Sequence, residues 1–228
     1  MPIKLISMAM LVMAGNVASP AFAQDLSCGE LANSYGPFDY RNPQGRLAVV
    51  EDNHFKAVVE VLAKGMTSST PGGDIDYTLR AFPNHHRALL STIRLGDREK
   101  TTKPQGMNYT VECWLERAVR FKGDDAVARM IYAGYLAKIG KKDQAKAQLA
   151  RTEQLAASNP FTQYNIGLVY LEMNEFELAL KQAHLAEEMG FPRTELRDAL
   201  VKAGKWADRP VSSAEPAASS PAASASMR

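Results

Sequence analysis

The stretch that decides the fold runs from Ala126 to Asn159 as AVARMIYAGYLAKIGKKDQAKAQLARTEQLAASN, and on from Pro160 to Arg193 as PFTQYNIGLVYLEMNEFELALKQAHLAEEMGFPR. Aligned on their first residues, the two 34-residue units agree in the places where paired helices constrain them. Position 8 is Ala133 and then Gly167, and position 20 is Ala145 and then Ala179. Small side chains at these places let two helices approach closely. Larger ones at position 11 (Leu136, Tyr170) fill the remaining volume, with Leu149 and Ala183 at position 24. Position 15 is Gly140 and then Asn174, both tolerant of the left-handed backbone that a turn needs. Each unit therefore predicts two amphipathic helices: Val127–Ile139 with Asp143–Ala156, and Phe161–Met173 with Glu175–Met189.

A third, degenerate unit precedes these two. Its second helix is ECWLERAV (112–119), with Ala118 in register, and its first is His85–Leu95 with Asn84 as N-cap. The join between them, DREKTTKPQGMN (97–108), is too polar and too broken by Gly and Pro for a tight turn, and reads as an exposed inserted loop. After the last unit, Pro192–Trp206 sets Leu196, Leu200 and Val201 at helical spacing, as expected of a terminal cap over the last apolar face. The pattern resembles the tetratricopeptide repeat, although position 4 is Arg129 and Gln163 rather than an aromatic residue. The resemblance implies an all-α fold in which TPR-like helix hairpins form a short right-handed solenoid over residues 84–206.

Upstream, residues 24–83 read as an extension with one helix. Arg46–Lys64 has Leu47, Val50, Val58, Val61 and Leu62 at helical spacing and ends at Gly65, while 66–83 is loop-rich around Pro71-Gly72-Gly73 and Pro83. Residues 1–23 have the form of a secretory signal: Lys4, an apolar stretch from Leu5, then Pro20 before Ala21-Phe22-Ala23, a small-x-small cleavage pattern. The mature chain would begin at Gln24. From Ala207 to Arg228 the chain is mostly Ala, Ser and Pro, and reads as a disordered tail.

Composition narrows the function. With 27 Lys and Arg against 25 Asp and Glu, the formal charge is +2, which lacks the basic excess that nucleic-acid binding needs. No apolar run approaches the roughly 20 residues of a membrane span. The strings GPFDYR (36–41), VEDNHF (50–55), DIDYTLRAFPNHHRAL (74–89), ECWLERAVRFKGDDAVARMIYAGYL (112–136), YNIGLVY (164–170) and AGKW (203–206) resemble a family of exported bacterial tetratricopeptide-repeat proteins. That resemblance implies a repeat domain with an N-terminal extension in the cell envelope, and it carries no catalytic residues.

Chemistry-bearing residues are sparse. His85 and His86 with His54 suggest a metal or hydrolytic site together with the loop carboxylates Asp39, Asp74 and Asp76. Neighbouring helical side chains, however, point about 100° apart, and no metal-ligand spacing occurs. A histidine bonded to the core, with His85 or His86 donating toward Asp74 and Asp76, is the more ordinary expectation. Cys113 beside Trp114 lacks the setting of a nucleophile, and pairing with Cys28 closes a loop of 85 residues. In the chain-entropy model such a disulfide contributes about 4 kcal/mol.

What remains is the concave face expected of the repeats, at positions 2, 5, 9 and 12 of the first helices: Val127, Met130, Gly134 and Ala137, then Phe161, Tyr164, Leu168 and Leu171. Asn165 is the polar group placed to bond an extended backbone. Either a partner helix or peptide docks there, or the extension with Phe38, Tyr40 and Tyr77 fills it. The expected protein is thus a non-catalytic scaffold or adaptor in the periplasm, needing no cofactor or metal and binding a protein or peptide partner. The alternative is a small metal-binding or hydrolytic envelope protein built on His85 and His86.

Overall fold

A computed structural model describes residues 26–209 of the chain. The expected export signal (1–23) and the tail from residue 210 onward lie outside the described residues. Among those described there are ten α-helices and no strands: α1 (Leu47–His54), α2 (Ala57–Glu60), α3 (Pro71–Ala81), α4 (His86–Glu99), α5 (Val111–Phe121), α6 (Ala126–Lys138), α7 (Lys142–Leu155), α8 (Pro160–Glu172), α9 (Phe176–Glu188) and α10 (Glu195–Lys202). A short 3₁₀ turn, Leu26–Cys28, precedes them. None of the helices is long and apolar enough to cross a membrane.

Five of the described helices, α3, α4, α5, α6 and α8, start at a side-chain cap. Asp125 accepts from Val127 and Ala128 N–H at 3.1 and 3.0 Å, Thr110 from Cys113 at 3.2 Å, and Asn159 from Thr162 at 3.1 Å, with Pro160 in the first turn. Between α6 and α7, and between α8 and α9, the chain turns at Gly140 (φ 81°) and Asn174 (φ 62°). Each of these helix pairs packs as a hairpin, α4 lies against α6, α6 against α8, and α10 covers α8 and α9. Ala133, Ala145 and Ala179 are fully buried at the close crossings. At Gly167 a Cβ atom would stand 2.4 Å from Leu196 Cδ2 and 3.1 Å from Gln182 Cβ, so only glycine admits α10 there.

One apolar core runs from Phe55 to Leu200. A smaller cluster of Val50, Ala81 and Phe82 gathers Tyr35, Phe38, Tyr40, Leu47 and Tyr77. Cys28 and Cys113 form a disulfide, tying the start of the described chain to α5.

Four expectations need correction. The stretch 66–83 contains α3: Pro71 occupies the first turn after Thr70, where a missing N–H costs nothing. Gly72 is needed because a Cβ atom would fall 2.0 Å from the Gln105 carbonyl oxygen. Asp74 and Asp76 accordingly sit on a helix rather than in a loop. The single helix expected over Arg46–Lys64 is broken at Phe55 (φ −141°), which turns its ring into the core at 1 % exposure. His85, not Asn84, caps α4, accepting from Ala88 N–H at 3.2 Å. The inserted loop is not wholly exposed, since Pro104 and Met107 are buried in it.

Candidate functional site: a groove across three helices

The helices α4, α6 and α8 lie side by side and present matching rows. Leu90 and Ile93 come from α4, Met130, Ile131, Gly134, Tyr135 and Lys138 from α6, and Asn165, Leu168, Val169 and Glu172 from α8. Together they line a groove of about 550 Å³, within the range of sites that accept small ligands or a few side chains. Its floor is apolar and partly solvated, with Leu90 left 44 % exposed. Gly134 supplies the depth: a Cβ atom there would meet nothing nearer than Val169 Cγ2 at 4.0 Å. Unlike Gly167, this glycine is not demanded by a neighbouring helix, and its cost to α6 leaves room in the groove. A second hollow of about 310 Å³ adjoins it and shares Ile93, Tyr135 and Lys138, extending the groove toward Gly96, Thr101 and Thr102.

The polar groups of the groove are few. Tyr135 is 9 % exposed, and its hydroxyl has no hydrogen-bond partner among the described residues. Burial, then Glu112 and Asp97, push its pKa up, so it stays a neutral donor. Lys138 is paired with Asp97. Asn165 donates its Nδ2 to the Phe161 carbonyl at 2.7 Å, which leaves its Oδ1 as an acceptor. This arrangement can desolvate apolar side chains and orient a backbone through two or three polar contacts.

Of the residues singled out from sequence, Met130, Gly134, Asn165 and Leu168 line the groove, and Phe161, Tyr164 and Leu171 do not. Tyr164 is buried, donates to Glu195 Oε2 at 2.9 Å and packs on Phe191 at 4.8 Å between ring centroids. Phe161 is 55 % exposed on the same side, 6.1 Å from the Phe191 ring. Leu171 packs against the core. Sequence reasoning missed Leu90, Ile93, Ile131, Tyr135, Lys138, Val169 and Glu172. A row at repeat positions 9, 10 and 13 would have found those on α6 and α8 except Ile131, which stands at position 6.

The described part of the N-terminal extension, residues 26–83, does not enter this groove. Phe38 lies 5.5 Å from Phe82, and Tyr40 lies over His85 at 4.2 Å and edge-on to His86 at 5.1 Å. Tyr77 stacks on His54 at 3.9 Å. No residue from 26 to 83 lines the groove.

The chain matches no protein-family model, no curated protein and no solved structure.

The histidines do not converge. His54 Nδ1 lies 2.9 Å from Asp74, His85 Nε2 lies 3.0 Å from Glu51, and His86 Nε2 lies 2.9 Å from Asp125. His184 donates to the Ala207 carbonyl at 3.0 Å. The expected pairing of His85 or His86 with Asp74 and Asp76 is thus replaced by three separate partners. Among the described residues, no group of three or more His, Cys, Asp or Glu side chains is placed to share a metal ion. Asp74 accepts backbone N–H groups of Met66, Thr67 and Ser68, and Asp76 accepts from Asn108 N–H at 2.7 Å and Arg80 at 2.9 Å. Asp39 is held well below the usual carboxylate range, foremost by the Arg41 guanidinium. These carboxylates fasten loops and the extension to the helices.

Proposed function

We propose that this chain is an exported tetratricopeptide-repeat protein of the periplasm that holds a polypeptide partner in the groove across α4, α6 and α8 and performs no chemistry of its own. The 34-residue register supports the repeat assignment, as does the hairpin packing of α6 with α7 and α8 with α9. The Cys28–Cys113 disulfide suits an oxidising compartment, in keeping with the signal-like pattern of residues 1–23. One observation carries the docking reading: the described residues leave an apolar groove open at Gly134, and the aromatic side chains of the extension are packed elsewhere. Binding there would draw its energy from desolvating Leu90, Met130, Leu168 and Val169.

The test compares the tagged wild-type chain with Gly134→Leu, which fills the groove from its floor. A partner recovered from envelope extracts by the wild type should be lost with Gly134→Leu while helix content stays unchanged. A partner retained in full by the filled variant would place binding on some other surface.

A further inference from the structure

The charges around the groove point to the kind of partner it takes, given the docking reading above. Lys138, the cation on the floor's edge, is already paired with Asp97. Glu172 is exposed on the same edge and has neither ion pair nor hydrogen bond among the described residues. It is also the last residue of α8, whose final turn carries no basic side chain. The carbonyls of Val169, Tyr170 and Leu171 at this end of α8 are taken by the N–H groups of Met173, Glu175 and Asn174, so the Glu172 side chain is the charge left facing outward there. The nearby ammonium of Lys142 caps the Met173 carbonyl at 2.8 Å and does not reach the Glu172 carboxylate within ion-pair distance. One corner of the groove therefore carries an exposed carboxylate with no ion-pair partner among the described residues, and Leu168 and Val169 lie one helical turn behind it on α8.

We infer that the groove's partner is a polypeptide segment that sets a lysine or arginine side chain against Glu172 and aliphatic side chains against Gly134, Leu168 and Val169. The Tyr135 hydroxyl and Asn165 Oδ1 take its backbone groups. Among the described residues that line this floor the cation is Lys138, and a partner ending in a carboxylate would have to compete with Asp97 for it. Electrostatic complementarity of this kind selects among partners more than it adds affinity.

The experiment uses two capped, fluorescently labelled peptides, one with a lysine among leucines and valines and a twin with glutamate in the lysine's place. Each is titrated against the full chain, and against Glu172→Lys and Gly134→Leu, by fluorescence anisotropy, with helix content checked by circular dichroism. The lysine peptide should bind the wild type roughly tenfold more tightly than its twin, and Glu172→Lys should abolish or invert that preference. Equal binding of the twins, with both lost in Gly134→Leu, overturns the basic-partner inference and leaves the groove reading standing. Binding of neither twin, or binding untouched by Gly134→Leu, overturns both.

Discussion

Arg117 shows how single residues bind the extension to the repeats. It is 2 % exposed, and its Nη1 donates to the carbonyls of Cys28, Glu30 and Gly29 at 2.9, 2.7 and 3.3 Å. Its guanidinium stacks on Tyr109 at 4.5 Å and Trp114 at 5.1 Å. Burial lowers its pKa from the usual arginine value, since three neutral carbonyls replace water less well than a carboxylate would. Truncation would strand the Cys28 and Glu30 carbonyls, while that of Gly29 keeps Arg120 Nη2 at 2.7 Å, so Arg117→Ala should destabilise the fold by about 3 kcal/mol in urea unfolding. A change under about 0.5 kcal/mol, as at an ordinary surface position, would contradict the role given to it.

His85 behaves differently. Its Nδ1 accepts from Ala88 N–H, so the ring proton sits on Nε2 and faces Glu51. Burial pushes the His85 pKa down from 6.5 against the opposing pull of Glu51, with Arg87 also disfavouring the charged ring. The unfolded chain then binds the proton more readily than the folded one, so stability drains away as pH falls through about 6.5. Glu51, whose pKa is lowered foremost by its bond from His85, gives up its share only below 4.5. His85→Asn keeps an N-cap but cannot titrate, and its denaturation midpoint should change less than the wild type's between pH 7 and pH 5.5. An identical pH slope in both proteins would remove His85 as the cause.

At the scale of elements, the two mid-helix glycines of α6 and α8 make opposite predictions. Gly134→Ala adds a methyl group into open space and improves helix propensity, so it should stabilise by about 0.5–1 kcal/mol. Gly167→Ala drives a methyl group into Leu196 and Gln182, and should destabilise by about 1–3 kcal/mol. Thermal unfolding of the pair reads both signs at once, and equal shifts would undo the distinction between a packing glycine and a groove glycine.

The repeat helices from α6 onward are legible because the 34-residue period and the turn residues agree: Gly140 and Asn174, both at positive φ, turn the two hairpins. The helix α3 was not, because Pro71-Gly72-Gly73 reads as a breaker. Only the tertiary approach of Gln105 to Gly72 shows why glycine is used inside a helix there. The break at Phe55 was hidden for a similar reason, since helical spacing continues through it while the core pulls the ring inward. The groove was half legible. Which row of α6 and α8 faces it depends on how the hairpins are rotated against one another, and the spacing within one unit does not encode that rotation. So Tyr135 and Glu172 were missed, and Tyr164 was assigned to a face that α10 covers through Glu195.

At the scale of the whole molecule, the extension, the disulfide and the repeats form one continuous packing arrangement, with the groove on the face that the extension leaves bare. Export is part of the proposal, and it has its own check. The intact mass of the protein recovered from the envelope should correspond to a chain starting at Gln24, and an uncleaved Met1 start would contradict it. The central claim, a groove that holds another polypeptide, is tested most directly by site-specific photo-cross-linking in cells. A photoreactive residue is placed in turn at Leu90 and Leu168 in the groove, and at Val61 and Val201, which are exposed elsewhere at 69 % and 54 %. Discrete adducts at the two groove positions and none at the two outer ones are the predicted result. Adducts formed equally at all four positions, or only at the outer two, would contradict the account.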